Sequence, residues 1–217
     1  LNFTAMPEFI DQTFETISLD EKPKRIVSLV PSQTELLWDL GLREELCGIT
    51  KFCIHPEEMF RVKTRIGGTK KIDIQKIREL KPDLIIGNKE ENDKSQILEL
   101  RKEFNVWMSD IYTIGDALHM IHSVGRMCGK TEESKTLLIE ICRVLDLIKN
   151  SFRGLNAIYF MWKDPYMCAG GNTFISSIME HAGLKNVMGS KERYPVLDEN
   201  SFANKAPDIC LLSSEPF

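Results

Sequence analysis

The sequence predicts an α/β protein made of two lobes with mainly parallel β-sheets, joined by one long helix. Short β-branched apolar runs alternate with helical periodicity over residues 25–108, and the alternation returns after Gly154. Between them, helical periodicity continues without a strand from about residue 115 to beyond Leu147. Strands that alternate with helices are typical of parallel sheets, because a parallel connection needs a crossover segment. We therefore expect an amino-terminal α/β lobe at 1–113, a helical segment at 114–153 and a carboxyl-terminal α/β lobe at 154–217.

The first lobe begins with a strand, a short loop and a helix. The stretch RIVSLV at residues 25–30 is apolar and β-branched, which favours a strand. Leu36, Leu37 and Leu40 repeat at helical spacing, and Gly41 marks the end of that helix. The same reasoning predicts strands at 46–50, 84–87 and 106–108, and helices at 73–83 and 93–104.

The second half of the chain changes rhythm. Helical periodicity runs from about Gly115 to Cys128, breaks at Gly129 and restarts at Thr131, where acidic residues follow in the first turn. This second helical run continues past Leu147 and predicts the long connecting helix. The last lobe is predicted from a strand at 156–162, a helix at 173–183 and a strand at 207–214.

Composition narrows the function classes. The chain has 217 residues, 42% of them hydrophobic, which is enough for one large core or two modest ones. A net charge of −4 and the absence of basic blocks argue against a nucleic-acid surface. No apolar run approaches the roughly 20 residues that a membrane span requires. The expected partner is therefore a small molecule or another protein.

The loops that follow the strands are the place to search for a site. In open parallel sheets, ligands bind beyond the carboxyl ends of the strands. The loops expected at those ends lie at 31–35, 51–56, 67–71, 87–92, 162–172 and 191–195. They contain Pro31, Ser32, Gln33, Phe52, Cys53, His55, Asn92, Trp162, Asn172 and Tyr194, which are our candidate ligand-binding residues.

The Cys53-Ile54-His55 triplet leaves two interpretations open. Thiolate and imidazole both ligate transition metals, and a metal held in a planar macrocycle accepts one protein atom at an open axial position. His55 is therefore the candidate axial metal ligand. The alternative, which we favour, is that Cys53 is a small buried filler and His55 a wall residue. Because no C-x-x-C pair and no nucleophile motif such as G-x-S-x-G is present, we expect neither a zinc framework nor an enzyme.

Three segments carry a resemblance to a known family. Residues 25–42, with the loop Val-Pro-Ser-Gln-Thr-Glu, residues 66–86, with Leu-Lys-Pro-Asp-Leu-Ile-Ile, and residues 167–187 resemble the helical-backbone (class III) substrate-binding proteins of ABC importers. Within that family the cobalamin-binding branch is the most similar. The resemblance implies two Rossmann-like lobes joined by one backbone helix, no catalysis, and a monomer that delivers a metal chelate to an ABC transporter permease.

The resemblance also suggests roles for individual residues. It implies that Pro31, Phe52, His55, Trp162 and Tyr194 line the ligand pocket, with the rings packing flat against a macrocycle. Polar side chains at Gln33, Asn92 and Asn172 would then hydrogen-bond the amide groups of a corrinoid.

The chain departs from the family pattern at two places. Where the cobalamin branch has an indole ring, this chain reads Gly68-Thr69-Lys70, so one stacking wall is missing. The acidic residues that dock the permease in that branch correspond to Gln75 and Asn200, which leaves the docking residues open.

Several alternatives remain at this stage. The expected ligand is cobalamin or another corrinoid, no intrinsic cofactor is expected, and the runner-up is a haem or an iron-siderophore held by lysines. The family resemblance implies a periplasmic or extracytoplasmic location, whereas six unpaired cysteines and no visible leader leave a cytosolic tetrapyrrole or metal-handling protein as an alternative. The second lobe is expected to continue beyond Phe217.

Overall fold

A computed structural model describes residues 7–197 and 206–213 of the chain. Contacts divide the chain into two compact units. Unit 1 comprises Leu1–Asp110 and His119–Thr136, and unit 2 comprises Ile111–Leu118 and Leu137–Phe217. The two central helices lie within residues 114–148, and each unit thus contains residues from both of them. The domain boundaries expected from the sequence, at residues 113 and 153, stay a prediction.

Unit 1 is built on a parallel sheet of five strands. Its elements before the central helices are β1 (Glu8–Ile10), β2 (Thr16–Ser18), β3 (Ile26–Ser28), α1 (Pro31–Asp39), β4 (Leu46–Ile49), α2 (Glu57–Val62), β5 (Thr64–Arg65), α3 (Ile74–Leu80), β6 (Leu84–Asn88), α4 (Lys94–Leu100) and β7 (Val106–Ser109). The strand order is β5-β4-β3-β6-β7, and every neighbouring pair is parallel. The predicted alternation of strands and helices is confirmed here.

The strands form because they are apolar on both faces. β3 and the first four residues of β6 are fully buried, as expected of central strands that are covered by helices on each side. Helices α3 and α4 begin where Asp73 and Asp93 accept hydrogen bonds from backbone amides of their first turns. The chain leaves β3 toward β4 on one side and returns to β6 on the other. The switch point of this doubly wound sheet therefore lies between β3 and β6.

A short antiparallel hairpin precedes the sheet and was not predicted. β1 pairs with β2 through three residue pairs, from Glu8 with Ser18 to Ile10 with Thr16. Its turn lies against β7, where the Gln12 amide donates to the Met108 carbonyl at 3.0 Å. The hairpin thus covers the β7 edge of the sheet.

Unit 2 has a smaller sheet centred on one long strand. Its elements are β8 (Asn156–Trp162), β9 (Met167–Cys168), α7 (Phe174–His181), β10 (Lys185–Asn186) and β11 (Ile209–Leu212). β10 and β11 flank β8 in parallel, and β9 pairs with it antiparallel. Val196 forms a further antiparallel bridge to Met167. The sheet is therefore mainly parallel, as predicted, with an antiparallel strand beside the last residues of β8.

Two long helices lie between these sheets in the sequence. α5 (Ile114–Met127) and α6 (Thr131–Ile148) agree with the predicted helical runs, and α6 is the longest helix of the described chain. The predicted helix at 93–104 ends earlier, at Leu100, because residues 101–103 form turns. Among the described residues, no helix is both long and apolar enough to cross a membrane.

Candidate ligand-binding site

The carboxyl ends of the unit 1 strands gather most of the predicted residues at one edge. Because β3, β4, β6 and β7 are parallel, the loops that follow them emerge at the same edge of the sheet. Pro31 and Ser32 begin α1 just beyond β3, and residues 51–56 follow β4. Pro31 is half-buried, whereas Ser32 is exposed. Unit 1 therefore brings Pro31, Ser32, Gln33, Phe52, Cys53, His55 and Asn92 to one edge of its sheet.

Gln33 ties this edge together from inside. Its side chain is buried at 1% exposure, and its Nε2 donates to the Ser109 hydroxyl at 2.5 Å. The Asn88 amide donates to the same hydroxyl at 3.0 Å. Gln33 Oε1 is also buried and has no hydrogen-bond partner among the described residues. The structure thus gives Gln33 a bracing role, in place of the ligand contact expected from the sequence.

Phe52 is the exposed aromatic of this edge. Phe52 is 52% exposed, which is high for a large apolar residue. A Cβ atom on Gly68 would lie 3.2 Å from Cε2 of the Phe52 ring, so the ring packs against the bare glycine backbone. The Lys51 ammonium lies 5.0 Å from the ring centroid. Gly68 therefore supports the Phe52 ring at the loop where the family pattern has an indole and this chain does not.

Cys53 and His55 point to different surroundings. Cys53 is 1% exposed, and its Sγ lies 3.2 Å from Thr34 Oγ1 and 3.1 Å from Thr50 Oγ1. A ligand at the surface cannot reach this thiol, so Cys53 packs the interior rather than lining the site as its inclusion among the candidates implied. His55 is exposed, and whether it ligates a metal stays a prediction.

Asn92 is buried, and its side-chain amide hydrogen-bonds to two other loops. Its amide group donates to the Leu29 carbonyl at 3.2 Å and the Thr69 carbonyl at 3.1 Å. Its Oδ1 accepts from the Asn88 backbone amide at 2.8 Å. Both amide hydrogens are used, and the residue is only 5% exposed. Asn92 thus holds three strand-end loops together and is not placed to hydrogen-bond a ligand's amides.

Unit 2 carries the other three predicted residues. Trp162 is the last residue of β8 and is 49% exposed. It pairs with Met167, which in turn bridges to Val196, two residues after the half-buried Tyr194. Asn172 is exposed, and its Oδ1 accepts a hydrogen bond from the Arg193 backbone amide. Trp162 and Tyr194 therefore lie on segments that flank β9 on either side.

Arg193 and Tyr112 of unit 2 were not identified from the sequence as candidate site residues. The Arg193 guanidinium lies 5.3 Å from the ring centroid of Tyr194 and 5.6 Å from that of Tyr112. The Gly170 amide donates to the Arg193 carbonyl at 2.7 Å, which fixes the backbone beside the glycine loop. An arginine adjacent to Tyr194 in the sequence was the available signal, because guanidinium groups stack on aromatic faces.

The acidic and metal-ligating groups do not form a metal centre in the described chain. Over residues 7–197 and 206–213, no three His, Cys, Asp or Glu side chains are grouped closely enough to hold an ion. At the β6 loop, hydrogen bonds from the Ser95 hydroxyl and from backbone amides lower the pKa of Asp93, which keeps this helix cap ionised.

Comparison with known proteins gives a consistent family match. The model of the family described as periplasmic binding protein matches residues 26–216. The cobalamin-binding protein of Halobacterium salinarum is 26% identical over 210 residues, which cover 92% of this chain and 56% of that protein. The chain thus spans little more than half the length of this relative.

Solved structures agree on the fold. The periplasmic vitamin B12 binding protein of Vibrio cholerae superposes with a TM-score of 0.80 at 22% identity, over 89% of this chain and 77% of the other. The siderophore binding protein BauB, bound to ferric iron and two acinetobactin molecules, superposes with a TM-score of 0.82 at 19% identity, over 96% and 76%.

Proposed function

Because the chain belongs to the periplasmic binding protein family, we propose that it is the substrate-binding component of an ABC importer and that it captures a corrinoid. The family match spans residues 26–216 and agrees with the resemblance seen in the sequence. Members of this family bind and hand over solutes and are not enzymes, in agreement with the missing nucleophile motif.

The observation that carries the corrinoid proposal is one half-exposed aromatic ring at the carboxyl end of each unit's sheet. Phe52 follows β4 in unit 1 with 52% of its surface exposed, and Trp162 ends β8 in unit 2 with 49% exposed. Exposed rings of this size favour contact with a flat apolar surface, since stacking removes roughly 100 Å² or more of each ring from water. A corrin ring offers apolar surface of this kind around its axial ligands.

The polar groups near these rings suit the edge of the same ligand. Ser32 and Asn172 are exposed at strand-end loops, and the Tyr194 ring is half-buried. Hydroxyl and amide groups hydrogen-bond the amide side chains of a corrinoid. The relatives named as cobalamin-binding and vitamin B12-binding proteins support the same ligand class. The metal would be cargo, and His55 is the exposed imidazole available to it.

The test is calorimetric titration with cyanocobalamin and then with haemin. Phe52→Ala and Trp162→Ala should each weaken cyanocobalamin binding about tenfold, because one stacked ring contributes about 1–2 kcal/mol. The matched control is Phe152→Ala. Phe152 is 46% exposed but precedes β8, at the amino end of the strand. No binding of cyanocobalamin, or equal losses in the control and the two variants, would contradict the proposal.

The axial role of His55 has a separate readout. Aquocobalamin changes its visible absorption when an imidazole replaces the bound water. His55→Ala should abolish such a change and leave most of the affinity, if the imidazole is a ligand to cobalt. An unchanged spectrum in both proteins would make His55 a wall residue without affecting the corrinoid proposal.

A haem or iron-siderophore is the second candidate, and Arg193 favours it. Haem propionates and many siderophores are anionic, and the Arg193 guanidinium, which lies near the rings of Tyr112 and Tyr194, has the charge and the planar shape that a carboxylate pairs with. Tight haemin binding that falls about tenfold in Arg193→Gln, without cyanocobalamin binding, would select this candidate over the corrinoid.

The partner and location follow from the same proposal. An importer component acts outside the cytoplasmic membrane and docks on a permease. At the positions that match the family's acidic docking residues, Gln75 donates to Glu79 on the exposed face of α3. Asn200 lies outside the described residues. Fractionation of the producing cells tests the location, and recovery of the protein only from the cytosol would overturn it.

A further inference from the structure

Unit 1 contains a cavity that Asn92 lines and Phe52 does not, between the turn of the β1–β2 hairpin and helix α4. Its volume is about 440 Å³, which is within the range of small-molecule pockets. Ile97 and Met108 form an apolar floor, with 5% and 3% exposure. Phe14 and Leu98 form the upper walls. The cavity thus resembles a ligand pocket in size and in the apolar character of its lining.

The hairpin turn that forms one wall is rigidly held. Asp11 is buried, and its Oδ1 accepts hydrogen bonds from the backbone amides of Thr13 and Glu15 at 2.7 and 3.0 Å. Its Oδ2 accepts from the Met108 amide at 3.1 Å and from the Arg101 guanidinium at 2.5 Å. The cavity is therefore preorganised, because the turn cannot shift without breaking an ion pair and several hydrogen bonds.

Phe14 occupies this turn at a cost to stability. Its φ angle is +67°, in the left-handed region that disfavours side chains with a Cβ, and its side chain is 90% exposed. A left-handed backbone is strained for a residue other than glycine, and an exposed ring gains nothing from burial. Leu98, across the cavity, is 49% exposed. Two large apolar side chains that face solvent over an apolar floor indicate a surface that is covered when a ligand is present.

Among the described residues that line the cavity, one cation is left for a ligand. Arg101 pairs with Asp11 at 2.5 Å, and Lys89 pairs with Asp110 at 2.5 Å. Lys94 also lines the cavity, at the start of α4, and has no hydrogen-bond or ion-pair partner among the described residues. Its ammonium is therefore available to an anion at the cavity mouth.

We propose that this cavity is a second binding site, which takes an amphipathic monoanion with an apolar body and a single carboxylate. The body lies on Ile97 and Met108 under the Phe14 ring, and the carboxylate pairs with Lys94. A polyanion does not fit, because the carboxylates of Glu15 and Asp110 line the same cavity. The site involves residues of unit 1 alone and does not depend on the corrinoid proposal.

The test uses two dyes with one skeleton. 8-Anilino-1-naphthalenesulfonate is an aromatic monoanion, and N-phenyl-1-naphthylamine is the same molecule without the sulfonate; both fluoresce more strongly in apolar pockets. Phe14→Asn should weaken both dyes about tenfold, because Asn tolerates the left-handed turn but removes the ring. Lys94→Gln should weaken only the sulfonate dye, about fivefold. Lys102→Gln, which removes an exposed charge just beyond α4, is the control and should change neither.

The natural class of ligand is tested by competition. 3-Phenylpropionate should displace the anionic dye from the wild-type protein, and the neutral 3-phenylpropanamide should displace it at least about fivefold less effectively. The proposal is overturned if the wild-type protein binds neither dye, if Phe14→Asn leaves both affinities unchanged, or if Lys94→Gln and Lys102→Gln behave alike. Binding of cyanocobalamin should be the same in all three variants, which separates this site from the one proposed at Phe52.

Discussion

Replacing Asp11 by Asn should destabilise unit 1 by about 3 kcal/mol. The Asp11 side chain is 0% exposed, and its partner Arg101 is 21% exposed. Its Oδ1 accepts hydrogen bonds from the Thr13 and Glu15 backbone amides. Its Oδ2 accepts from the Met108 amide and from the Arg101 guanidinium, the latter at 2.5 Å. An asparagine has the same shape but only one oxygen. Its amide hydrogens must therefore face donors in either orientation, toward Arg101 and Met108 or toward Thr13 and Glu15.

The size of the effect follows from burial. Breaking a buried ion pair by neutralising one partner costs about 3–5 kcal/mol, and the partial exposure of Arg101 places this pair at the lower end. Glu15→Gln removes the same charge from the same arginine. Because Glu15 lies 3.7 Å away and is 61% exposed, its loss should cost less than about 1 kcal/mol. The difference between the two variants isolates the buried contact from the change in net charge.

Urea unfolding followed through the buried Trp107 measures both variants. In an Arg101→Met background, the free-energy cost of Asp11→Asn should fall to about half or less, because the ion pair with Arg101 is already absent. Equal and small losses, below about 1 kcal/mol, in Asp11→Asn and Glu15→Gln would refute the reasoning that the carboxylate anchors the hairpin.

Three further outcomes are expected. Gly68→Ala should lower cyanocobalamin affinity about fivefold in titration, with little change in melting temperature. The added methyl group would lie 3.2 Å from the Phe52 ring and displace it. Unchanged affinity would show that the position of the ring does not matter. Phe14→Asn should raise the free energy of unfolding by about 0.5–1 kcal/mol in urea, because the left-handed turn is relieved and a 90% exposed ring loses no packing; a clear loss would mean that the ring is structural. At pH 8, a disulfide reagent should modify the exposed Cys210 rapidly and the buried Cys168 only after unfolding. Burial raises the pKa of the Cys168 thiol to about 11, so this thiol stays protonated at pH 8. Equal rates of modification at the two cysteines would contradict this assignment.

The sequence predicted the elements whose signals are local. The run at 25–30 and the leucines after it gave β3 and α1, because a buried central strand is apolar on both faces and a packed helix repeats every three to four residues. The β1–β2 hairpin was missed, since three-residue strands show no readable alternation. The anchor of that hairpin, Asp11, bonds to a residue 90 positions away, and such a partner leaves no local signal.

The positions of the candidate residues near strand ends were predicted, but the packing of their side chains was not. Phe52 follows β4 and Trp162 ends β8, as expected near the carboxyl ends of parallel strands, and their contact with a ligand stays a prediction. Gln33, Cys53 and Asn92 belong to the same loops, but each turns inward to hydrogen bonds or packing within unit 1. A polar residue in a loop has the same sequence signal in either case, so only the packed structure distinguishes a ligand contact from a brace.

The inward-turning residues also divide the edge of unit 1 into a fixed part and an adjustable part. Ser109 and Asn92 bind the ends of several strands into one frame, whereas Ser32, Phe52 and His55 project from that frame into solvent. A library that varies only the projecting side chains can therefore sample new ligands without loosening the sheet. Laboratory evolution toward a chosen ligand should accumulate its changes at those outward positions and leave the internal amides untouched.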